Sequence, residues 1–574
     1  MMPPRFTHLI ELLEHRALKQ PDSIALGFLD DGVLPGSRLT YAQLANQSAN
    51  LSRRLQSCAE PGVRALLLLP AGLDFVVAFF ACLRAGVIAV PVPAPHPARL
   101  SRTIGRLQAI AADAEASVII SDESLRLAGN DFYKQYPALC SARWIEVNGS
   151  DQDEAFSPAS FAKCDTALLQ YTSGSTAHPR GVMVTHENLL GNLEAIEKRV
   201  GNHEGSVSVS WLPPFHDMGL VGGILQPIYG GYPGWLMSPA TFLQRPVRWL
   251  EAISSLRATF SGGPDFAYDL CVRRIAPEQR AALELSSWNY AFNGAEPVRE
   301  KTMIEFSRAF EGSGFPRSAW RPVYGLAEAT LMVSGGDPGS KYHSRELAAE
   351  ALENHRVEDC VGDGRGVTVV GCGPPVKNTE VLVVHPETRA VCPIGEVGEL
   401  WVRGPGVALG YWGKTDPVFE GRLLDSEDRS YLRTGDLGFL ADGEIYVTGR
   451  LKDLIIIRGR KLYPQDIELT VETSHPMIRP HACAAFSILD EGVESVAVAV
   501  EIERVTSDDY DALREKVICA IRQAVSETHE VGLAQVTLLR PGSLPRTTSG
   551  KIRRSALQSG MPHSQKPVSM SDAL

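Results

Sequence analysis

Apolar residues recur at helical spacing from Phe6 to Gln20, which predicts an amphipathic helix, and the short runs Ser23 to Phe28 and Arg38 to Tyr41 have the texture of strands. A second helix is predicted to begin near Tyr41. Beyond it, Arg64 to Leu69 is an apolar run of strand length, Leu73 to Ala85 is apolar over a helical length, and Val87 to Val92 is strand-like again. Strand, helix and strand in that order favour a parallel sheet with helices packed on it. The rhythm continues at Ser117 to Ile120 and Thr166 to Tyr171. From about Val367 the pattern shortens to strands between Gly and Pro turns, including Val381 to Val384 and Gly398 to Val402, which predicts a small β subdomain. The chain then crosses Gly449-Arg-Leu-Lys-Asp453 into a last region with strands and helices of its own. The fold class is therefore α/β, with an N-terminal domain over 1–450, a smaller α+β domain over 451–560 and a polar, unstructured tail over 561–574.

Composition narrows the classes of function. A chain of 574 residues has room for several units of roughly 150 residues, and 44% hydrophobic against 21% charged residues is ordinary globular usage. With 56 Lys+Arg against 67 Asp+Glu, a formal charge of -11, no broad basic face is available for nucleic acid. The ten cysteines follow no CxxC or regular spacing and read as reduced thiols of a cytoplasmic protein, neither a disulfide framework nor a zinc site. The opening MMPPRFTHLIELLEH lacks the apolar core of a signal peptide, and the most apolar region, Val63 to Pro93, is interrupted by Arg64, Asp74 and Arg84, so no membrane span is predicted.

Candidate chemistry starts at Leu169-Gln-Tyr-Thr-Ser-Gly-Ser-Thr-Ala-His-Pro-Arg-Gly181, a loop of small hydroxyl and glycine residues that follows an apolar strand. Glycine lets backbone N–H groups approach an anion, and Thr172, Ser173, Ser175 and Thr176 add hydroxyl donors around Gly174, a composition suited to phosphate oxygens. It is not a Walker A loop, because no GK[ST] follows at the required spacing, and a Ser/Thr/Gly cluster by itself is most often a surface turn.

Four further segments change its weight: Tyr324-Gly-Leu-Ala-Glu328, Arg433-Thr-Gly-Asp-Leu-Gly438, Gly449-Arg-Leu-Lys-Asp453 and Leu544-Pro-Arg-Thr-Thr-Ser-Gly-Lys551. Together, in this order and over nearly the whole chain, the five resemble the core motifs of the adenylate-forming superfamily of acyl-CoA synthetases, peptide-synthetase adenylation domains and luciferases. The resemblance implies a large N-terminal domain of sheets and helices and a small, mobile C-terminal one. It also implies attack of a carboxylate on the α-phosphate of ATP, giving an acyl-adenylate and pyrophosphate. Bringing two anions together makes charge neutralisation and positioning the main tasks. In that assignment Tyr324 and Gly325 lie against adenine, Gly294, Ala295 and Glu296 line base and ribose, and Glu328 holds Mg²⁺, a hard ion suited to carboxylate oxygens. Asp436 accepts from the ribose hydroxyls, Arg450 supports the same sugar, Lys452 marks the hinge, and Lys551 reaches the carboxylate and α-phosphate oxygens. Where the family usually has glycine and lysine in the phosphate loop, this chain has Ala177 and Arg180, and arginine is no simple substitute for a lysine point charge.

Ser210-Trp-Leu-Pro-Pro-Phe-His-Asp-Met-Gly-Leu220, Ser238 to Trp249 and Ala258 to Cys271 further resemble the fatty acyl-AMP ligases, which pass the acyl group to the phosphopantetheine thiol of an acyl carrier protein rather than to coenzyme A. That likeness implies a fatty acid substrate and a carrier supplied in trans. It puts His216 near the reaction centre and Met218, Ser261, Gly262, Gly263, Pro264 and Phe266 along the acyl tunnel. The long stretch after Glu328, with a predicted helix over Ser344 to Asn354 and a Gly-rich turn over Gly362 to Gly366, reads as the insertion thought to restrain the small domain in those ligases. Arg553 and Arg554 are candidate contacts for an acidic carrier. Three alternatives stand beside this reading: a CoA ligase, an amino-acid-activating domain in which Asp217 pairs with the substrate ammonium, and a catalytically silent lipid-binding scaffold.

Overall fold

The computed structural model describes residues 6–32, 36–94, 100–125, 136–148, 165–172, 179–362, 364–457, 460–490, 493–504, 510–547 and 550–560. The chain divides into two compact units: the larger uses the chain up to Glu346 and again Thr368–Val447, and the smaller combines Leu347–Val367 with the chain from Thr448 onward.

The larger unit is built on two sheets with a helix between them. In the six-stranded sheet the order is Arg143–Glu146, Val118–Ser121, Arg64–Leu68, Ile88–Pro91, Thr166–Thr172 and Arg180–Thr185, and the strands are parallel except for the last. The eight-stranded sheet carries Ser208–Ser210, Phe260–Gly263, Tyr290–Asn293 and Trp320–Gly325 side by side and parallel. Leu73–Ala85 touches strands of both sheets and is buried at every position from Phe75 to Ala85. That explains a helix apolar on all sides: it has no solvent face to make polar. Gly86, left-handed at φ 73°, ends it. Thr40 and Thr185 each start a helix with a capping box, the second at the foot of the strand that follows the Ser/Gly-rich loop.

A five-stranded sheet, in which Glu380–Val384 is an edge strand and Gly398–Arg403 pairs antiparallel with both it and Ser426–Ala441, is the predicted β subdomain. In the smaller unit Ile478–Asp490, Val493–Ile502 and Leu533–Leu539 form a three-stranded sheet, and Val471, Val498, Val517 and Ile521 are among the buried residues that join it to the helices Pro464–Ser474 and Tyr510–His529.

Two expectations change. Ser344–Ala348 is a strand, and the helix is confined to Ala349–Glu353, because Ala348 N–H donates to the Glu358 carbonyl at 2.8 Å and Leu347 bridges Asp359. The segment around it clusters with the smaller unit and not with the N-terminal domain. Glu353, buried, pairs there with Arg460 at 2.9 Å and with Arg365, which donates to the Thr528 carbonyl at 2.8 Å. The tail over 561–574 lies outside the described residues.

Candidate active site

In the larger unit Thr172 and Gly325 end strands of its two main sheets, Gly294 follows another strand, and Asp436 lies in the antiparallel sheet. Thr172 is the register partner of Arg180, so both ends of the Ser/Gly-rich loop are fixed on neighbouring strands. Ser173, Gly174, Ser175, Thr176 and Ala177 themselves lie outside the described residues. From the strand entering that loop, Gln170 Nε2 donates to the Phe215 carbonyl at 2.8 Å, which holds the His216 turn beside it. The turn leads into Met218–Leu225, a π-helix wound on glycines: a Cβ on Gly219 would stand 2.0 Å from the Pro213 carbonyl oxygen. Asp217 Oδ1 accepts from the Met218 N–H at 2.7 Å, so this carboxylate caps the π-helix.

Tyr324 and Asp436, far apart in the chain, meet: the phenol donates to Asp436 Oδ2 at 2.8 Å, with both side chains buried. Asp436 lies within the strand Ser426–Ala441, next to left-handed Gly435, where the register with Gly398–Arg403 shifts, and the sequence did not reveal what organises this irregularity. Buried Glu399 accepts from Arg433 at 3.0 Å, from Trp401 Nε1 at 2.9 Å and from the Gly435 N–H at 3.1 Å. Gly325 is required by its surroundings, because a Cβ would lie 1.8 Å from the Leu331 carbonyl oxygen.

Gly294, Ala295 and Glu296 follow the strand Tyr290–Asn293, with Ala295 in the left-handed region at φ 67°. Glu296 Oε1 accepts from the Phe266 N–H at 2.7 Å, tying the 294–296 segment to the start of the helix Asp265–Arg274. Asp265, also missed in the sequence, reinforces this tie by accepting from Asn293 Nδ2 at 2.8 Å, Thr302 Oγ1 at 2.7 Å and the Arg299 N–H at 3.1 Å. Burial raises its carboxyl above the usual range.

Of the acyl candidates, Met218, Pro264 and Phe266 are half-buried. Ser261 is fully buried; its hydroxyl donates to the Val209 carbonyl at 2.6 Å and accepts from Trp249 Nε1 at 2.8 Å. A Cβ on Gly262 or Gly263 would collide with the Phe292 carbonyl oxygen or the Trp211 ring.

Glu328 lies half-buried in the short turn Ala327–Ala329. Its backbone carbonyl accepts from the Ala408 N–H at 2.9 Å, and its Oε1 accepts from the Tyr411 hydroxyl at 2.8 Å. Among the described residues no group of three or more His, Cys, Asp and Glu side chains is assembled to hold a metal.

The smaller unit carries Arg450, Lys452 and Lys551. Lys452 stands in the turn Leu451–Asp453, and Arg450 ends the strand before it. Lys551 is exposed on a turn closed on itself: the Thr547 N–H donates to the Lys551 carbonyl at 2.7 Å, and the Lys551 N–H returns to Thr547 Oγ1 at 3.0 Å. Arg554 departs from the docking role anticipated for it, because its guanidinium is spent inside this unit on Glu468 at 2.7 Å and Asp453 at 3.3 Å.

Residues 13–412 match the model of the AMP-binding enzyme family. The chain belongs to that family. Residues 452–564 match a second model, the AMP domain of Disco-interacting protein 2-like proteins. Among relatives of this AMP-binding enzyme, the medium-chain-fatty-acid–[acyl-carrier-protein] ligase JamA of Moorena producens is 44% identical over 97% of this chain and 95% of its own. The long-chain-fatty-acid–AMP ligase FadD26 of Mycobacterium tuberculosis is 36% identical over 97% of both chains. The crystal structure of a fatty acyl-adenylate ligase from L. pneumophila, in complex with acyl adenylate and pyrophosphate, matches with a TM-score of 0.75 and 40% identity over 96% of each chain. The large and small domains expected of the adenylate-forming fold are those of its solved relatives.

Proposed function

We propose that this AMP-binding enzyme activates a fatty acid with ATP to an acyl-adenylate, releasing pyrophosphate, and passes the acyl group to the phosphopantetheine thiol of an acyl carrier protein. The observation that carries the reading is the hydrogen bond between Tyr324 and Asp436, which brings the residues assigned to adenine and ribose together from distant motifs. The names of JamA and FadD26 and the acyl adenylate of the L. pneumophila structure support the fatty acid as substrate. Met218 and Phe266, both half-buried, are the candidates to border its chain.

Mg²⁺ fits the residues present. It is commonly held by one or two carboxylates together with substrate phosphates, not by an all-protein cage, and Glu328 presents such a carboxylate. When bound, the ion neutralises phosphate charge. Thr172 with the hydroxyls of its loop would contact the phosphates, Arg450 the ribose, and Lys551 the oxygens on which negative charge builds. His216 would orient the substrate carboxylate, and Lys452 would serve as the pivot of the smaller unit. We place the activity in the cytoplasm, where buried free thiols such as Cys82 and Cys271 stay reduced.

The choice of a carrier thiol is supported by the name of JamA and by the Leu347–Val367 segment, fastened within the smaller unit through Glu353. Incubation with ATP, Mg²⁺ and a panel of fatty acids, followed by either coenzyme A or a phosphopantetheinylated carrier, tests the reading. Acyl transfer to the carrier supports it, thioester formation with coenzyme A alone points to a CoA ligase, turnover with amino acids alone to an adenylation domain, and absence of pyrophosphate release to a scaffold. Glu353→Gln should raise the yield with coenzyme A if that segment restrains the small unit.

A further inference from the structure

We propose that Tyr411 is a positioning residue for Glu328, locked in place by Arg180 and Asp416, so that Leu409–Asp416 ties the base of the Ser/Gly-rich loop to the metal-binding carboxylate. The inference rests on the reading that Glu328 holds a divalent cation. Three sets of contacts carry it. First, the Tyr411 hydroxyl donates to Glu328 Oε1 at 2.8 Å while the Ala408 N–H holds the Glu328 backbone at 2.9 Å, so one stretch of chain fixes both ends of this residue. Second, Arg180 lies over the Tyr411 ring, 5.2 Å from its centroid, and donates to Asp416 Oδ2 at 3.3 Å, while Asp416 also accepts from the Val418 N–H at 3.2 Å. Third, the same stretch grips the strand leaving the loop: Trp412 N–H donates to the Gly181 carbonyl at 2.8 Å, Met183 N–H to the Gly410 carbonyl at 2.9 Å, and Lys414 Nζ to the Pro179 carbonyl at 3.1 Å. Lys414 is itself paired at 2.7 Å with Asp113, which also accepts from Tyr171 at 2.7 Å.

The chemistry suits the role. A carboxylate that ligates a cation through one oxygen is oriented best by a neutral donor on the other, since a cationic donor would repel the metal. A phenol carries its proton at neutral pH, so the hydroxyl that faces Glu328 Oε1 is a donor. Arg180 gives the ring a flat guanidinium face and still reaches Asp416, a combination that a lysine ammonium does not reproduce. Its place is thus beside the loop as a brace, which accounts for arginine where related loops carry lysine.

The test uses the full-length chain and Mn²⁺ with a non-hydrolysable ATP analogue, following the bound ion by electron paramagnetic resonance. Tyr411→Phe should weaken Mn²⁺ about tenfold and leave metal-free nucleotide binding unchanged. Glu328→Gln should weaken Mn²⁺ at least as much, and adding Tyr411→Phe to it should cost nothing more. Arg180→Lys and Asp416→Asn, which leave the hydroxyl in place, should give smaller losses in the same sense and serve if Tyr411→Phe does not fold. Wild-type Mn²⁺ affinity in Tyr411→Phe alongside a loss in Glu328→Gln overturns the positioning role and leaves the metal assignment standing. Wild-type affinity in Glu328→Gln overturns the metal assignment and the inference with it. Equal losses from Tyr411→Phe in both backgrounds would show that it acts on the fold and not through Glu328.

Discussion

Glu328 and Lys551 carry opposite charges in the proposed reaction, and the chain holds them in contrasting ways. The Glu328 carboxylate is positioned by a hydroxyl from a residue 83 positions later, which a further long-range ion pair, between Arg180 and Asp416, steadies in turn. The Lys551 backbone is held by Thr547, four residues away, and its side chain is exposed. A group fixed by long-range bonds is in place before any ligand arrives, and its reorganisation cost has been met in folding. A turn closed by local bonds forms without the rest of the site and can keep its shape wherever the unit that carries it goes. On the proposed reading, the contrast makes Glu328 a preorganised group, whereas the Lys551 backbone is set by local bonds.

Lys551→Ala tests this most sharply. It should lower the rate of adenylate formation by about a thousandfold, the scale of losing one group that stabilises developing charge, with ATP binding and the melting temperature nearly unchanged. Single-turnover pyrophosphate release and a thermal melt read the two separately; a large loss of ATP affinity with unchanged turnover would break the comparison. Next in size is Glu399→Ala, which leaves Arg433 without its buried partner and frees the strand at Gly435, beside Asp436. It should cost about 3 kcal/mol in chemical denaturation and weaken ATP binding, so that here, unlike at Lys551, fold and site fail together. Asp265→Asn turns an acceptor into a donor facing donors and should cost about 2 kcal/mol, with a shift in fatty acid preference, since Asp265 ties the acyl segment to the nucleotide segment.

The smallest effect concerns the body of the smaller unit. Buried His529 accepts from Arg365 at 3.1 Å and bonds Thr470 at 2.8 Å, and burial first, then the guanidinium, lower its pKa to about 4. Unfolded, it takes a proton near the ordinary histidine value of 6.5. The contribution is therefore complete above that value and is lost as pH falls toward about 4. Denaturation at pH 7 and 5.5 should show a loss of about 1 kcal/mol that His529→Gln removes. A full-sized loss in that variant would place the acid sensitivity elsewhere, and no loss in the wild type would mean that His529 is not held neutral.

Much of the architecture was legible because it is local. The alternation from Arg64 to Val92 announced a parallel strand-helix-strand unit, and the Leu73–Ala85 run, apolar but for Asp74 and Arg84, announced its helix. Ser344–Asn354 failed as a helix because backbone pairing with Glu358 and Asp359, invisible to periodicity, draws its first half into a strand. Glu328, Asp436 and Lys551 could be singled out because each stands in a recognisable run of neighbours. Tyr411, Glu399 and Asp265 could not, since a lone tyrosine or acid in a strand or loop has the same sequence signature whether it faces water or organises a site.

The sequence by itself determined the order of strands and helices, the motifs and the kind of chemistry they support, because propensity, periodicity and motif spacing are properties of neighbours along the chain. The tertiary structure alone decided that Tyr411 meets Glu328, that Tyr324 meets Asp436, that Glu399 holds the strand at Gly435 and that the Leu347–Val367 segment belongs with the smaller unit. Those pairings include one, between Arg365 and Thr528, that joins positions 163 residues apart. Their partners are chosen by packing and by the need to satisfy buried polar groups, and that requirement exists only once the chain has folded.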